Sequence, residues 1–157
     1  MTEAAPLVRP DLSDRPHRLS VQRHMNASPE AIYRAWTEEF DSWFAEPGLI
    51  RMNAEQDAPF VFQTRHEGEL HSHYGRFLAL KLNELVELTW ITCRAGTDGA
   101  ETVVTVQLQR TADNGTDLRL SHTGFYDEAG VKRHDDAWAN HVLPHLDEVL
   151  TSQGSAG

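Results

Sequence analysis

The sequence predicts an α+β fold in which a curved antiparallel sheet wraps around one long C-terminal helix. Three observations predict it. Between residues 60 and 125, short runs alternate apolar with polar side chains and are separated by turn residues, as strands with one buried face do. From about 127 to 151, apolar residues recur at helical spacing. Two short helical segments stand between the first strand and the rest of the sheet.

Residues 1–17 carry three prolines, several charges and no periodicity, which reads as a flexible arm without the apolar core of a signal peptide. Order begins with RLSVQRHM (18–25), where Leu19, Val21 and His24 bracket an alternating strand. Ser28-Pro29-Glu30 is a helix start: an N-cap hydroxyl, a proline at the first helical position and an acid near the positive dipole end. The helix that follows places Ile32, Ala35 and Trp36 on one face. Asp41-Ser42-Trp43-Phe44 makes a second short helix or turn, stopped by Glu46-Pro47-Gly48.

The strands come next. FVFQTRH (60–66) sets Phe60, Phe62 and Thr64 against Val61, Gln63 and Arg65. HYGRFLALKL (73–82) and ELVELTWITC (84–93) abut at Asn83-Glu84 and form a hairpin, with Val86, Leu88 and Trp90 on one side. ETVVTVQLQRT (101–111) aligns Val104, Val106 and Leu108. Asp113-Asn114-Gly115 is a turn signal, and DLRLSHTGF (117–125) aligns Leu118, Leu120 and His122. The closing helix centres its stripe on Val131, Trp138, Val142 and Val149, with Leu146 on one shoulder and His134, His141 and His145 on the other. Pro144 kinks it. Residues 152–157 form a frayed tail, and 18–151 form one domain.

ASPEAIYRAWTEEFDSWF, GRFLALKLNELVELTW (75–90) and LRLSHTGFYDEAGVKRHDDAWANHVLPHLDEVL (118–150) together resemble the opening helix, central hairpin and closing strand–helix of one branch of the START-like, or SRPBCC, superfamily. That branch is named for the activator of the heat-shock-protein-90 ATPase. The resemblance implies the helix-grip fold with an interior cavity. It implies no single reaction, because the superfamily includes ligand carriers, cyclases and ring-oxygenase subunits. The chain has no room for the co-chaperone's additional N-terminal domain, and Lys81-Leu82-Asn83 lacks the proline usual near the family's hairpin turn.

Composition narrows the function classes. With a net charge of −10, the chain is not expected on nucleic acid or on an anionic membrane surface. No apolar run approaches the roughly 20 residues of a spanning helix. Cys93 is the single cysteine, read as a small core residue, and its free thiol in a chain with no export signal suggests the cytoplasm.

Three functional readings follow. In the first, Phe60, Phe62, Tyr74, Trp90, His122 and Trp138 line a pocket for a small hydrophobic or aromatic molecule between sheet and helix. Arg65 or Arg76, if inward, would select an anionic ligand. In the second, His122 is the general base of a cyclase-, dehydratase- or hydrolase-like enzyme in the same pocket. No G-x-S-x-G elbow, phosphate loop or H-E-x-x-H supports it, so no catalytic residue and no cofactor are assigned. In the third, the domain is a chaperone-type protein-interaction module, acting on a chaperone or on itself, which an exposed apolar patch around Trp43 and Phe44 would favour. Chaperone contact is not expected, and the chain is read as a monomer or homodimer. His71 with His73, and His134 with His141 and His145, stand at spacings that bind metal. Without a matching carboxylate or thiol they read as edge histidines, and no metal is assigned.

Overall fold

The computed structural model describes residues 8–92, 97 and 99–155. Seven strands form one sheet in the order β1-β7-β6-β5-β4-β3-β2, each pair antiparallel. They are β1 (His17–Met25), β2 (Ile50–Arg51), β3 (Pro59–His66), β4 (Glu69–Lys81), β5 (Leu85–Trp90), β6 (Thr102–Arg110) and β7 (Thr116–Phe125). Helix α1 (Pro29–Thr37) and a single 3-10 turn (Phe40–Ser42) follow β1. Helices α2 (Glu128–Ala137) and α3 (Leu143–Ser155) close the chain, joined by a π-helical turn (Trp138–Val142). This is the α+β helix-grip architecture expected from the strand pattern and the C-terminal helix. Among the described residues, no helix is long and apolar enough to cross a membrane.

Local signals account for most boundaries. The Ser28 side chain accepts a hydrogen bond from the Ala31 amide at the start of α1, and Asp127 does the same for Gly130 at the start of α2. Glu67 and Gly68 both take positive φ (53° and 81°) to turn β3 into β4, which therefore begins at Glu69, four residues before the expected His73. The Glu-Gly pair is a weaker signal than Asn-Gly, because glutamate rarely adopts φ > 0. At Gly75, midway along β4, any side chain would run into the Thr89 carbonyl and the Phe60 ring, so glycine lets the strand pass close beneath them.

The inner face of the sheet carries Leu19, Val21, Phe60, Phe62, Val86, Leu88, Trp90, Val104, Val106, Leu118 and Leu120, all buried. These core residues lie within 18–151. Of the residues before them, 8–17 differ from a free arm. From Val8 onward they are tied to the sheet, where Arg9 pairs with Glu87 (2.7 Å) and Arg15 donates to the carbonyls of Gly124 (2.8 Å) and Glu101 (2.9 Å).

The C-terminal helix departs from the expected stripe in an informative way. Val131, Trp138, Leu143, Leu146 and Leu150 are buried, whereas Val142 and Val149 are only partly so. The π turn is the reason. The Leu143 amide donates to the Trp138 carbonyl, five residues back rather than four, so one extra residue enters the turn. Every position beyond it is shifted by one, and Leu143 takes the place that an uninterrupted helix would give Val142. Pro144 lacks an N–H and its ring crowds the carbonyl four residues earlier, so widening the preceding turn accommodates it.

Candidate functional site

Asp147 fixes the helix against the rest of the fold. Its carboxylate, buried on α3, accepts the amides of Asn26 (3.0 Å) and Ala27 (2.9 Å) at the corner between β1 and α1. With that corner pinned, α1, the 3-10 turn and the π turn face the same part of the sheet.

Beneath the π turn runs a closed line of hydrogen bonds. Trp138 Nε1–H donates to Nδ1 of His122 (3.1 Å), so the ring carries its proton on Nε2. Nε2–H then donates to Thr102 Oγ1 (2.7 Å), and the threonine hydroxyl donates to the Trp90 carbonyl (2.5 Å). His122 is wholly buried, and burial with His134 nearby holds its pKa well below the ordinary 6.5. Both of its nitrogens are thus engaged within the protein. In this arrangement Nδ1 accepts from Trp138 and Nε2 donates to Thr102.

Around Trp138 lies a packed group of aromatic rings. Phe60, Phe62, Trp90 and Trp138 are buried and share the interior as expected. Tyr74 does not join them. It is 51% exposed because it alternates with the inward His73 on β4 and so points to the outer face. Arg65 and Arg76 also point outward, pairing with Glu46 (3.4 Å) and Asp57 (3.1 Å).

The rings that sequence reasoning left out of the pocket are Trp36, Phe40, Trp43 and Phe44. An exposed Trp43 would favour the interaction reading, but Trp43 is buried, with its Nε1–H bonded to the Ala35 carbonyl (2.8 Å). Phe44 is half-buried and sits at the centre. It stacks on Trp138 (6.4 Å, 18°) and meets Trp90 (5.5 Å), Phe62 (5.8 Å) and His73 (5.7 Å) edge-on. Where a ligand cavity was expected, a side chain of the protein lies between these rings. A concavity of about 370 Å³ opens over β2 and β3, lined by Leu49, Ile50, Arg51, Val61, Phe62 and Gln63 among others.

His73, expected as an edge histidine, is instead part of this interior. Its ring lies flat on Phe62 (4.8 Å, 9°) and edge-on to Trp90 (5.4 Å). Nε2 is bonded to Thr64 Oγ1 (3.1 Å), while Nδ1 is buried without a hydrogen-bond partner among the described residues. Burial, together with His71 and His134, brings its pKa down to about 4, so the ring is neutral at pH 7. Trp36 Nε1 and Arg23 Nε are also buried without a partner among the described residues.

The helix histidines part company. His134 turns inward against His122 (5.1 Å) and Phe125 (4.7 Å), donating Nδ1–H to the Gly130 carbonyl (2.8 Å), and burial lowers its pKa. His141 is exposed beside Asp136 (3.5 Å), and His145 is exposed too. The extra residue of the π turn is what separates them. Among the described residues, no three histidine, cysteine or acidic side chains converge as metal ligands. Cys93 lies outside the described residues.

Comparison with known proteins agrees with this architecture. Residues 26–151 match the family model described as activator of Hsp90 ATPase homolog 1-like protein. A structure from Chromobacterium violaceum is similar with a TM-score of 0.71 at 20% identity, covering 85% of this chain and 96% of that one. An HSP90 activator from Plasmodium falciparum is similar with a TM-score of 0.64 at 19% identity, and the Aha1 dimer from Colwellia psychrerythraea with 0.61 at 21%. Each covers 85% of this chain and 96% of the other. No curated protein sequence matches.

Proposed function

The chain belongs to the activator of Hsp90 ATPase homolog 1-like family, and from that premise we propose that it binds a small, apolar or aromatic molecule between the sheet and the C-terminal helix, with Phe44 yielding its place to the ligand. One observation carries this reading: an aromatic ring, only half-buried and borne on an irregular segment, occupies a slot walled by Trp138, Trp90, Phe62 and His73. Such a slot offers a flat guest both stacking and edge contacts. A rotation about the Phe44 side-chain bonds empties it without breaking a strand. The widened turn at Trp138 lies directly over the slot, and π turns of this kind occur often at functional sites.

Phe60, Phe62, Trp90 and Trp138 are the lining on this reading, and His122 supports Trp138 from behind. The test uses N-phenyl-1-naphthylamine, a neutral aromatic that fluoresces when buried. Saturable binding at one per chain is expected, and Phe44→Ala should tighten it by removing the competing ring. Absence of saturable binding in both proteins would refute the reading.

A second reading is favoured by the family description and by the Plasmodium falciparum neighbour, which is an HSP90 activator. On it, this domain stimulates a chaperone ATPase. Addition of the purified chain to an Hsp90-class ATPase tests it directly: faster hydrolysis supports this reading, and an unchanged rate sinks it.

A further inference from the structure

The slot described above contains one polar atom with nothing to bond to, and that atom specifies chemistry. Nδ1 of His73 is buried against the aromatic rings with no partner among the described residues. An orphaned buried N–H is rarer in folded proteins than an orphaned lone pair. The ring therefore carries its proton on Nε2, donating to Thr64 Oγ1 at 3.1 Å, and leaves Nδ1 as a bare acceptor. Phe44, the ring now seated edge-on to His73 at 5.7 Å, has no donor to offer it.

We propose that the slot takes a neutral aromatic molecule bearing one hydrogen-bond donor, such as a phenolic hydroxyl, which it gives to Nδ1 of His73. This rests on the preceding reading that the slot admits an aromatic ligand. Three features of the site support the chemical class. Three aromatic rings pack on His73: Phe44, Phe62 and Trp90. No lysine or arginine is among the buried residues described, so a carboxylate or sulfonate would enter without a counter-charge, at a desolvation cost that nothing offsets. The imidazole is itself neutral near pH 7 and supplies none. A phenol, by contrast, buries its ring by stacking and satisfies both its own hydroxyl and the stranded nitrogen with a single bond.

The specificity has a recognisable form. A site that hydrogen-bonds a ligand hydroxyl discriminates against the analogue lacking it, because the site's polar atom is then left unpaired. Here that atom is already unpaired in the free protein, so the discrimination is milder. One net hydrogen bond corresponds to about tenfold in affinity.

The experiment is displacement of bound N-phenyl-1-naphthylamine by three probes of similar size: 2-naphthol, which donates; 2-methoxynaphthalene, which only accepts; and 2-methylnaphthalene, which does neither. The expected order puts 2-naphthol about tenfold tighter than the other two, and His73→Phe should bring all three to one affinity. His73→Phe keeps a ring stacked on Phe62, and an unchanged far-ultraviolet circular dichroism spectrum with a cooperative urea transition shows that it folds. Thr64→Val is the second variant. It releases the Nε2 proton that sets the tautomer and should shrink the preference for naphthol. If 2-methoxynaphthalene binds as tightly as 2-naphthol, the donor assignment is wrong. Equal binding of 2-naphthol and 2-methylnaphthalene to the unaltered protein overturns the anchor while the slot survives. Failure of the naphthylamine itself to bind strikes instead at the reading on which this one rests.

Discussion

Replacing His122 by phenylalanine separates a structural histidine from a catalytic one. The substitution keeps a ring of similar size in a fully buried site, so it chiefly removes hydrogen bonds. Trp138 Nε1–H loses its acceptor, and Thr102 Oγ1 loses its incoming donor while keeping its own bond to the Trp90 carbonyl. An orphaned buried donor costs about 1–3 kcal/mol, and the lost bond to a hydroxyl that keeps another partner costs roughly 0.5–1 kcal/mol. Phenylalanine is easier to desolvate than imidazole, which returns part of that sum. A net loss of about 2 kcal/mol remains. For a domain of this size, with a urea m-value of about 2 kcal/mol/M, the unfolding midpoint should fall by roughly 1 M at unchanged m. Naphthylamine binding should survive, because neither His122 nitrogen reaches the slot. A midpoint within about 0.2 M of the unaltered protein would refute the relay as a stabilising element. Loss of ligand binding in a folded variant would refute its isolation from the site.

Three further outcomes follow from the same geometry. Asp147→Ala strips the acceptor from two amides at the β1–α1 corner, one of them buried, and should cost about 2–4 kcal/mol by urea unfolding; a loss below 1 kcal/mol means that water replaces it. Gly75→Ala places a methyl group against the Thr89 carbonyl and the Phe60 ring and should lower stability by about 1–3 kcal/mol; a neutral result means β4 can shift. Acid should destabilise the protein through its inward histidines. His73 has a folded pKa of about 4 against 6.5 in the unfolded chain, so between those values the unfolded state binds more protons and stability falls as pH falls. The share from His73 approaches 3 kcal/mol at pH 4, and His73→Phe should show a correspondingly flatter fall in urea midpoint between pH 6.5 and 4. Parallel curves for the two proteins would remove His73 as the cause.

The strands were legible because their inner faces are almost uninterrupted at period two. Phe60, Phe62, Thr64 on β3 and Leu118, Leu120, His122 on β7 sit on the face that their spacing indicated. The cap at Ser28 and the turn at Asn114 were legible for the same reason: one residue type answers one local requirement. The two-residue strand β2 was not, since Ile50-Arg51 is too short to show a period and is ordered by β3. The site was half legible. Trp90 and Trp138 carry their own signal, whereas Phe44 comes from a segment without periodicity, and only tertiary packing seats it on Trp138.

The histidines show why residue counting misleads here. Four of them fall between 122 and 145, a density that invites a metal or a catalytic group. Their roles are set by what surrounds each ring. His122 is spent on both nitrogens, His134 on a carbonyl of its own helix, and His141 and His145 are turned to solvent by one extra residue in a π turn. Among the described residues, the histidine with a buried nitrogen to spare is His73, which stands in a different hairpin and was marked in sequence only by its spacing from His71. A buried polar atom becomes available for function when the fold desolvates it and then leaves it without a partner. That condition depends on neighbours from β3, β5 and the irregular segment after α1 together, and no local window of the sequence contains it.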